Sequence, residues 1–375
     1  RWCTRACKWP WRALRVRGGK TPRHVEETAW LVEDGTDTLH PSGSRVLAAG
    51  ARDLERCEFG NCSTKRQLRA RGLADSLGES TFTVSSVEER PYKSSPKAPF
   101  MTSTLQQEGG RKLRLSASQV MRVAQGLYER GFITYMRTDD VILSDEAMNA
   151  TRSAITSEYG SKYLNAAPKQ YKKKSKGQDA HEAIRPTTPY RSPDSLAGEI
   201  NSQELALYRL IWQRTLASQM ADAAGVTVSV RLAAPATDRT TGELVECEFA
   251  ASGTTITFPG YRAVYVASTE ERGDDAADKE ALLPALTVGD TVPTESITPV
   301  GHTTTPPARY SEASLVKKLE ELRIGRPSTW ASIIQTVQDR GYVWKKGQAL
   351  VPTWTAFAVI RLLEEHFDAL VDYDF

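Results

Sequence analysis

The chain has 375 residues, of which 40% are hydrophobic and 25% charged, a balance typical of a soluble globular protein with two or three domains. No stretch approaches the ~18 apolar residues of a membrane helix, which excludes an integral membrane protein of that kind. The five cysteines form no CxxC pair and no zinc-finger spacing, so a reduced cytoplasmic protein fits better than a zinc or disulfide scaffold.

Basic charge is concentrated in one part of the chain. The net charge is only +3, but residues 91–190 hold 16 Lys/Arg against 9 Asp/Glu, whereas residues 261–300 hold 3 against 8. An ordinary solvated helical face can produce such an excess. It is also the distribution expected if one domain contacts phosphates and another does not.

The first eighty residues predict no definite fold. The chain begins with arginine, and residues 1–20 carry seven Lys/Arg, no acid and three tryptophans. We expect a truncated start and interpret this segment as a damaged fragment end. An organellar transit peptide or a basic nucleic-acid arm would have a similar composition.

Helices dominate the next region. The alternating run TFTVSSVEE after Thr81 predicts a strand, and three prolines then break it. Ser116 with Gln119 predicts a capping box and a helix that ends before Gly131. Further helices are predicted at 144–160 and 203–220, with an exposed basic loop at 171–176. The run FITYMRTDDVIL at 132–143 predicts a short strand followed by a polar turn.

Period-two patterning begins at about Val226. The runs VTVSVRLA, ECEFAAS and TITFPGYRAVYV predict three strands, followed by an acidic loop at 269–279. Helices are predicted again at 311–323, 328–340 and 355–368. The last should turn four apolar side chains inward, namely Phe357, Ile360, Leu363 and Phe367.

Tyr135 is the first candidate for covalent chemistry. A phenol becomes a nucleophile when cationic donors stabilise the phenolate or the phosphate under attack. In an extended segment Arg137 points to the same side as Tyr135 and suits bidentate phosphate binding. Tyr-x-Arg alone is nevertheless a weak signal, because most isolated tyrosines are core or surface residues.

Four runs around this tyrosine resemble the motifs of bacterial type IA DNA topoisomerases. They occur in family order: APFMTSTLQQE (98–108), GFITYMRTDD (131–140), DAHEAIRPT (179–187) and PPARYSEASLVKKLEELRIGRPSTWASIIQTVQDRGYV (306–343). Met136 favours the topoisomerase I branch. The order of motifs argues against a tyrosine recombinase.

The resemblance implies an α+β multi-domain, toroid-like protein, mainly helical with a β-rich hinge domain. Residues 1–80 stay poorly defined, and 81–220 would be the helical domain that carries the catalytic tyrosine. Residues 221–300 would be the β-rich gate or hinge, and 301–375 a truncated helical DNA-binding base.

The resemblance also implies site residues. Tyr135 would form the 5′-phosphotyrosine link, and Arg137 would hold the scissile phosphate. His181, Arg185 and Arg340 match DNA-contacting positions, and Arg326 with Thr329 lies at a predicted helix start that suits an anion. Each of these five residues could instead be a structural residue, a helix cap or half of an ion pair.

Two departures and one absence stand out against the family pattern. Asp140 replaces the usual serine, which is tolerable if the carboxylate faces away from the phosphate, and Trp330 replaces the usual tyrosine. The acidic Toprim domain that binds Mg²⁺ in the family has no counterpart here, so no metal ligand is predicted in this chain. Any Mg²⁺ would be bound by that missing domain.

The resemblance implies ATP-independent relaxation of negative supercoils by a cytoplasmic, nucleoid-associated bacterial protein. Its partners would be single-stranded and negatively supercoiled DNA, and we expect a monomer with no membrane partner. We also expect these residues alone to be inactive without the Toprim domain. The alternative is a non-catalytic fragment that binds single-stranded DNA, as the segregated basic charge would allow.

Overall fold

The computed structural model describes residues 10–16, 28–30, 38–39, 45–46, 59–78, 80–171, 182–239, 241–266, 283–300 and 307–372. The chain divides into two compact units. The sheet unit comprises Arg1–Tyr92, Ala224–Thr257 and Asp275–Pro306, and the helical unit comprises Lys93–Ala223, Phe258–Asp274 and Pro307–Phe375. The basic run at 171–176, apart from its first residue, and the acidic loop at 269–279 lie outside the described residues.

The sheet unit is built on one six-stranded sheet with the order β2-β1-β8-β5-β6-β7. β8 pairs antiparallel with both β1 and β5. A short β3–β4 ladder is separate from it, and α1 packs on β8. The elements are β1 (Pro10–Val16), β2 (Thr28–Trp30), β3 (Thr38–Leu39), β4 (Arg45–Val46), α1 (Phe59–Leu77), β5 (Thr81–Ser94), β6 (Ala223–Thr237), β7 (Leu244–Phe258) and β8 (Thr291–Thr298).

Alternation along the strands forms the core of the sheet unit. Phe82 and Val84 of β5 are buried between exposed neighbours, and the Phe82 ring meets Phe249 edge-on at 5.1 Å. Leu73 and Leu77 of α1 belong to the same core. The sheet thus combines the predicted β-rich segment with strands from the first ninety-four residues.

Two strand predictions need correction. The strand predicted at TFTVSSVEE continues through Pro91 to Ser94. ECEFAAS and the start of TITFPGYRAVYV form the single strand β7, because nothing between them breaks the extended backbone. The rest of TITFPGYRAVYV is not a strand. Pro259 precedes a 3₁₀ turn at Gly260–Ala263, where Gly260 takes a positive φ of 50°.

The helix predicted from its capping box is present in the helical unit. Ser116 and Gln119 form the reciprocal capping box, and Gly131 adopts a positive φ of 75° just beyond the helix. The elements are α2 (Thr102–Leu113), α3 (Ala117–Glu129), α4 (Asp145–Tyr159), α5 (Ser202–Gln219), α6 (Glu312–Glu321), α7 (Trp330–Asp339), β9 (Val343–Lys346), β10 (Ala349–Pro352) and α8 (Trp354–His366).

The core of the helical unit lies between α3 and α5. Val120 and Leu127 of α3 are fully buried with Leu207 and Ile211 of α5. α5 begins at the Asn201 cap and is buried along most of its length, in agreement with its many apolar residues. This packing fixes α3 rigidly, and α3 leads directly into the segment that contains Tyr135.

The inward stripe predicted on the last helix is wrong. No residue of α8 is buried, and Phe357, Ile360 and Phe367 are between 48% and 58% exposed, with Leu363 half-buried. Periodicity identifies the apolar face of a helix but not what covers it. No element of the described part covers this face.

Candidate functional site

The segment that carries Tyr135 does not belong to a sheet. The short strand predicted at the start of residues 132–143 is absent: the backbone bends at Thr134 and Met136, and an isolated bridge joins Ile133 to Pro186. Burial still alternates: Tyr135 and Arg137 are exposed, whereas Met136 and Thr138 are buried. The two candidate catalytic side chains are therefore both open to solvent.

The residues before Tyr135 are fixed by the chain around Arg185. Thr134 N donates to Arg185 O at 2.9 Å, and Thr134 Oγ1 donates to Ala183 O at 2.8 Å while accepting from Arg185 N at 3.0 Å. Thr187 N donates to Phe132 O at 3.0 Å. These bonds replace the ladder that a neighbouring strand would have supplied.

The residues after Tyr135 are fixed by Thr102, at the start of α2. Its buried Oγ1 donates to Met136 O at 2.7 Å and accepts from Thr138 N at 2.9 Å. Thr102 N also donates to Thr138 O at 2.9 Å. The TST run carries no local signal for this role, yet the Thr102 hydroxyl holds the backbone on both sides of Arg137.

A cation between two aromatic rings supports the segment that leads into α2. The Arg214 guanidinium lies 4.9 Å from the centre of the Phe100 ring and 5.0 Å from that of Tyr265, and its Nε donates to Ala98 O at 2.6 Å. Phe100 O accepts from Ile184 N at 2.7 Å. Phe100 therefore connects the α2 entrance to the same run that fixes Thr134.

Removing the Thr102 hydroxyl should destabilise the helical unit. Thr102→Val keeps the shape but leaves Met136 O and Thr138 N without this buried partner, so we expect a loss of about 2–3 kcal/mol in the free energy of unfolding. Urea unfolding of residues 1–375 measures it. The matched control is Thr156→Val, because that exposed hydroxyl bonds only Arg152 O in its own helix. Equal stability of the two variants would contradict the assignment.

Tyr135 and Arg137 are both available to a ligand. The Tyr135 side chain is 42% exposed, and its ring contacts the ring of Tyr128. The Arg137 guanidinium is exposed and has no hydrogen-bond or ion-pair partner among the residues that the structure describes. An exposed guanidinium two residues from an accessible phenol suits an incoming phosphate.

Arg185 is placed differently from Arg137. It is buried, its Nε donates to Glu182 Oε2 at 2.9 Å, and its Nη1 donates to Pro186 O at 2.9 Å. Glu182 also accepts from Ser144 N, the cap of α4. Burial raises the pKa of the nearby Tyr190 hydroxyl, which hydrogen-bonds Thr151. These partners favour the structural alternative, and DNA contact by Arg185 stays a prediction.

The structure accommodates both departures from the family pattern. Asp140 is buried, and its Oδ1 accepts from Val141 N at 2.8 Å and Ile142 N at 3.2 Å, so this carboxylate faces into the protein. Trp330 is buried in the small core at the start of α7, and its Nε1 donates to Ile324 O at 3.0 Å.

The remaining predicted DNA contacts lie apart from Tyr135. Thr329 Oγ1 accepts from Arg326 N at 2.8 Å, and Arg326 and Arg340 are exposed at the two ends of α7. α7 meets the beginning of α3, where Ser118 Oγ lies 3.5 Å from Ala331 O. Tyr128 is about 15 Å further along α3. His181 lies outside the described residues, so its role stays a prediction.

The described part of the chain contains no group of three or more His, Cys, Asp or Glu side chains that could hold a metal ion. Where Mg²⁺ would bind stays a prediction. None of the described helices is long and apolar enough to cross a membrane.

One solved structure has a similar fold over nearly the whole of this chain. The structure titled full-length topoisomerase I from Thermotoga maritima superposes with a TM-score of 0.70 at 29% identity, covering 98% of this chain and 53% of that one. A family model described as DNA topoisomerase matches residues 49–375. The chain belongs to the bacterial DNA topoisomerase family.

Three curated relatives, each named DNA topoisomerase 1, show how much of such a protein is present. The Mycobacterium leprae relative is 52% identical over 85% of this chain, and the Streptomyces coelicolor and Synechococcus elongatus relatives are each 51% identical over 82%. These matches cover 33%, 32% and 34% of the relatives. The chain therefore spans about one third of their length.

Proposed function

We propose that this chain is the strand-breaking part of an ATP-independent type IA topoisomerase, with Tyr135 as the nucleophile. The observation that carries the proposal is the exposed pair of Tyr135 and Arg137 on a backbone held from both sides. In the longer protein it would relax negatively supercoiled DNA through single-strand breakage, strand passage and rejoining. We propose a cytoplasmic monomer acting on single-stranded regions.

The proposed chemistry conserves the phosphodiester bond energy. Tyr135 Oη attacks phosphorus, a tyrosyl ester forms with the phosphate at the new 5′ end, and the bond from phosphorus to the 3′ oxygen breaks. The phenolic proton is transferred, directly or through water, to the departing 3′ oxygen. Attack by the 3′ hydroxyl reverses each change. Since one ester replaces another, no nucleotide is consumed.

Arg137 would hold the phosphate during both transfers. Its exposed guanidinium can donate two parallel N–H bonds to the non-bridging oxygens and stabilise the charge that develops there. The Thr102 contacts limit the movement of Arg137 relative to Tyr135. We propose that Mg²⁺, held by residues outside this chain, would add to this charge stabilisation.

Mass spectrometry of a trapped covalent complex tests this function. An oligonucleotide cut by the complete protein should leave a 5′-phosphate linked to the peptide that contains Tyr135. A suitable complete protein is a chimera in which residues 49–375 replace the matching segment of the Mycobacterium leprae relative. A linkage to any other residue would refute the proposal.

A non-catalytic module for single-stranded DNA is the second candidate function. The basic excess of residues 91–190 supports binding without requiring a metal site in the described part. Both functions predict DNA binding, so only covalent chemistry separates them.

Binding of single-stranded DNA by residues 1–375 should depend strongly on salt. Contacts with several phosphates release counterions, so we expect affinity to fall roughly tenfold between about 50 and about 200 mM salt. Fluorescence anisotropy with a labelled oligonucleotide measures the slope. Arg137→Ala should flatten it by about one phosphate contact. The control Arg361→Ala removes an exposed cation paired with Glu365 and should leave the slope unchanged. Salt-independent affinity would contradict a phosphate-binding surface.

A further inference from the structure

Two exposed tyrosine rings contact each other at the site. The ring centres of Tyr128 and Tyr135 are 5.2 Å apart, with an angle of 66° between their planes. The two side chains are 41% and 42% exposed. This edge-on contact is a favoured geometry for aromatic pairs, and it covers one side of the phenol that carries the proposed nucleophilic oxygen.

Both rings stand on firmly held backbone. Tyr128 lies in the last turn of α3, next to the fully buried Leu127. Tyr128 O accepts from Gly131 N at 2.8 Å, and Leu127 O accepts from Phe132 N at 2.9 Å. Because the backbone around Tyr135 is also fixed, the main remaining freedom of the nucleophile is rotation of its own side chain.

We infer that Tyr128 is a positioning residue for Tyr135. Its ring excludes part of the rotational space open to the Tyr135 side chain and favours the orientation seen in the structure. The inference rests on the proposed function, since it assigns Tyr135 as the nucleophile. Tyr128 acts through Tyr135 and needs no contact with DNA.

The ring of Tyr128 should matter more than its hydroxyl. An edge-on aromatic contact is a modest interaction, so its removal should lower the population of the reactive orientation by about 3- to 10-fold. Tyr128→Leu removes the ring but keeps an apolar side chain. Tyr128→Phe keeps the ring and removes only the oxygen. Both replacements are compatible with the C-terminal turn of a helix.

The test uses single-turnover cleavage by the chimera described above. Tyr128→Leu should slow formation of the covalent complex about 3- to 10-fold, and Tyr128→Phe should stay within about 2-fold of the parent. DNA affinity is measured separately in the cleavage-deficient Tyr135→Phe background. There, addition of Tyr128→Leu should change the dissociation constant less than about 2-fold.

Any other outcome would contradict the inference that Tyr128 positions Tyr135. An unchanged rate in Tyr128→Leu would show that the contact does not position the nucleophile. A loss confined to affinity would make Tyr128 a base-stacking residue. An equal loss in Tyr128→Phe would assign the role to the hydroxyl.

A second measurement keeps the inference separate from the proposed function. Residues 1–375 with 3-fluorotyrosine at position 135 report the ring environment by ¹⁹F NMR, without any cleavage. Tyr128→Leu should shift and sharpen that resonance, because the ring gains freedom, whereas Tyr128→Phe should leave it nearly in place. If the parent chimera makes no covalent complex, the proposed function fails. If the resonance does not respond to Tyr128→Leu, the positioning inference fails.

Discussion

Tyr135→Phe should abolish covalent capture of DNA by the chimera while leaving DNA affinity nearly unchanged. The substitution removes only the phenolic oxygen and retains the ring that packs against Tyr128. Without a nucleophile no ester can form, so the trapped complex should fall below detection on a denaturing gel. Affinity for single-stranded DNA should stay within about 2-fold, because phosphate contacts provide most of it.

Because Tyr135→Phe is a conservative substitution, each result that contradicts the prediction has a separate cause. Residual capture at the parent level would show that another residue attacks the phosphate. Loss of affinity together with capture would indicate misfolding, and unfolding in urea would detect it. Tyr310→Phe is the matched control, since it removes the oxygen of another tyrosine that is about half exposed and makes no side-chain hydrogen bond among the described residues. It should capture DNA at the parent rate.

Local signals in the sequence predicted the local structure well. The Ser116–Gln119 capping box and Gly131 bound α3 because the groups that begin and end a helix lie within a few residues of it. The exposure of both Tyr135 and Arg137, on either side of the buried Met136, also agrees with the predicted alternation. Neither result required knowledge of a distant partner.

Contacts distant along the chain could not be predicted in this way. Thr102 bonds Met136 and Thr138, which are 34 and 36 residues away, and no local pattern connects them. The partners of Arg185 were equally hidden, since a buried ion pair and a phosphate contact require the same side chain. For α8, the sequence marks an apolar face but carries no information about what packs on it.

Residues 1–375 alone should fail to relax supercoiled plasmid, even with abundant Mg²⁺. Cleavage requires stabilisation of the charge on the phosphate and transfer of the Tyr135 proton to the departing 3′ oxygen, and Arg137 supplies only part of the first. Loss of a single preorganised donor typically slows such reactions about 100- to 1,000-fold, and loss of a metal adds to that. We therefore expect relaxation at least about 1,000-fold slower than that of the chimera, measured on agarose gels.

Comparison with the chimera decides between the two proposed functions. If the chimera relaxes the plasmid and its Tyr135→Phe variant does not, the site is sound and the missing groups lie outside this chain. If the chimera binds DNA but stays inactive while the parent Mycobacterium leprae enzyme is active, the binding module is favoured. Asp140 would not explain that failure, because its carboxylate accepts hydrogen bonds from backbone N–H groups inside the protein. Robust relaxation by residues 1–375 alone, from a preparation free of host topoisomerase, would overturn this division of roles. It would place every group needed for strand transfer on this chain, and Arg137 would be the first residue to replace.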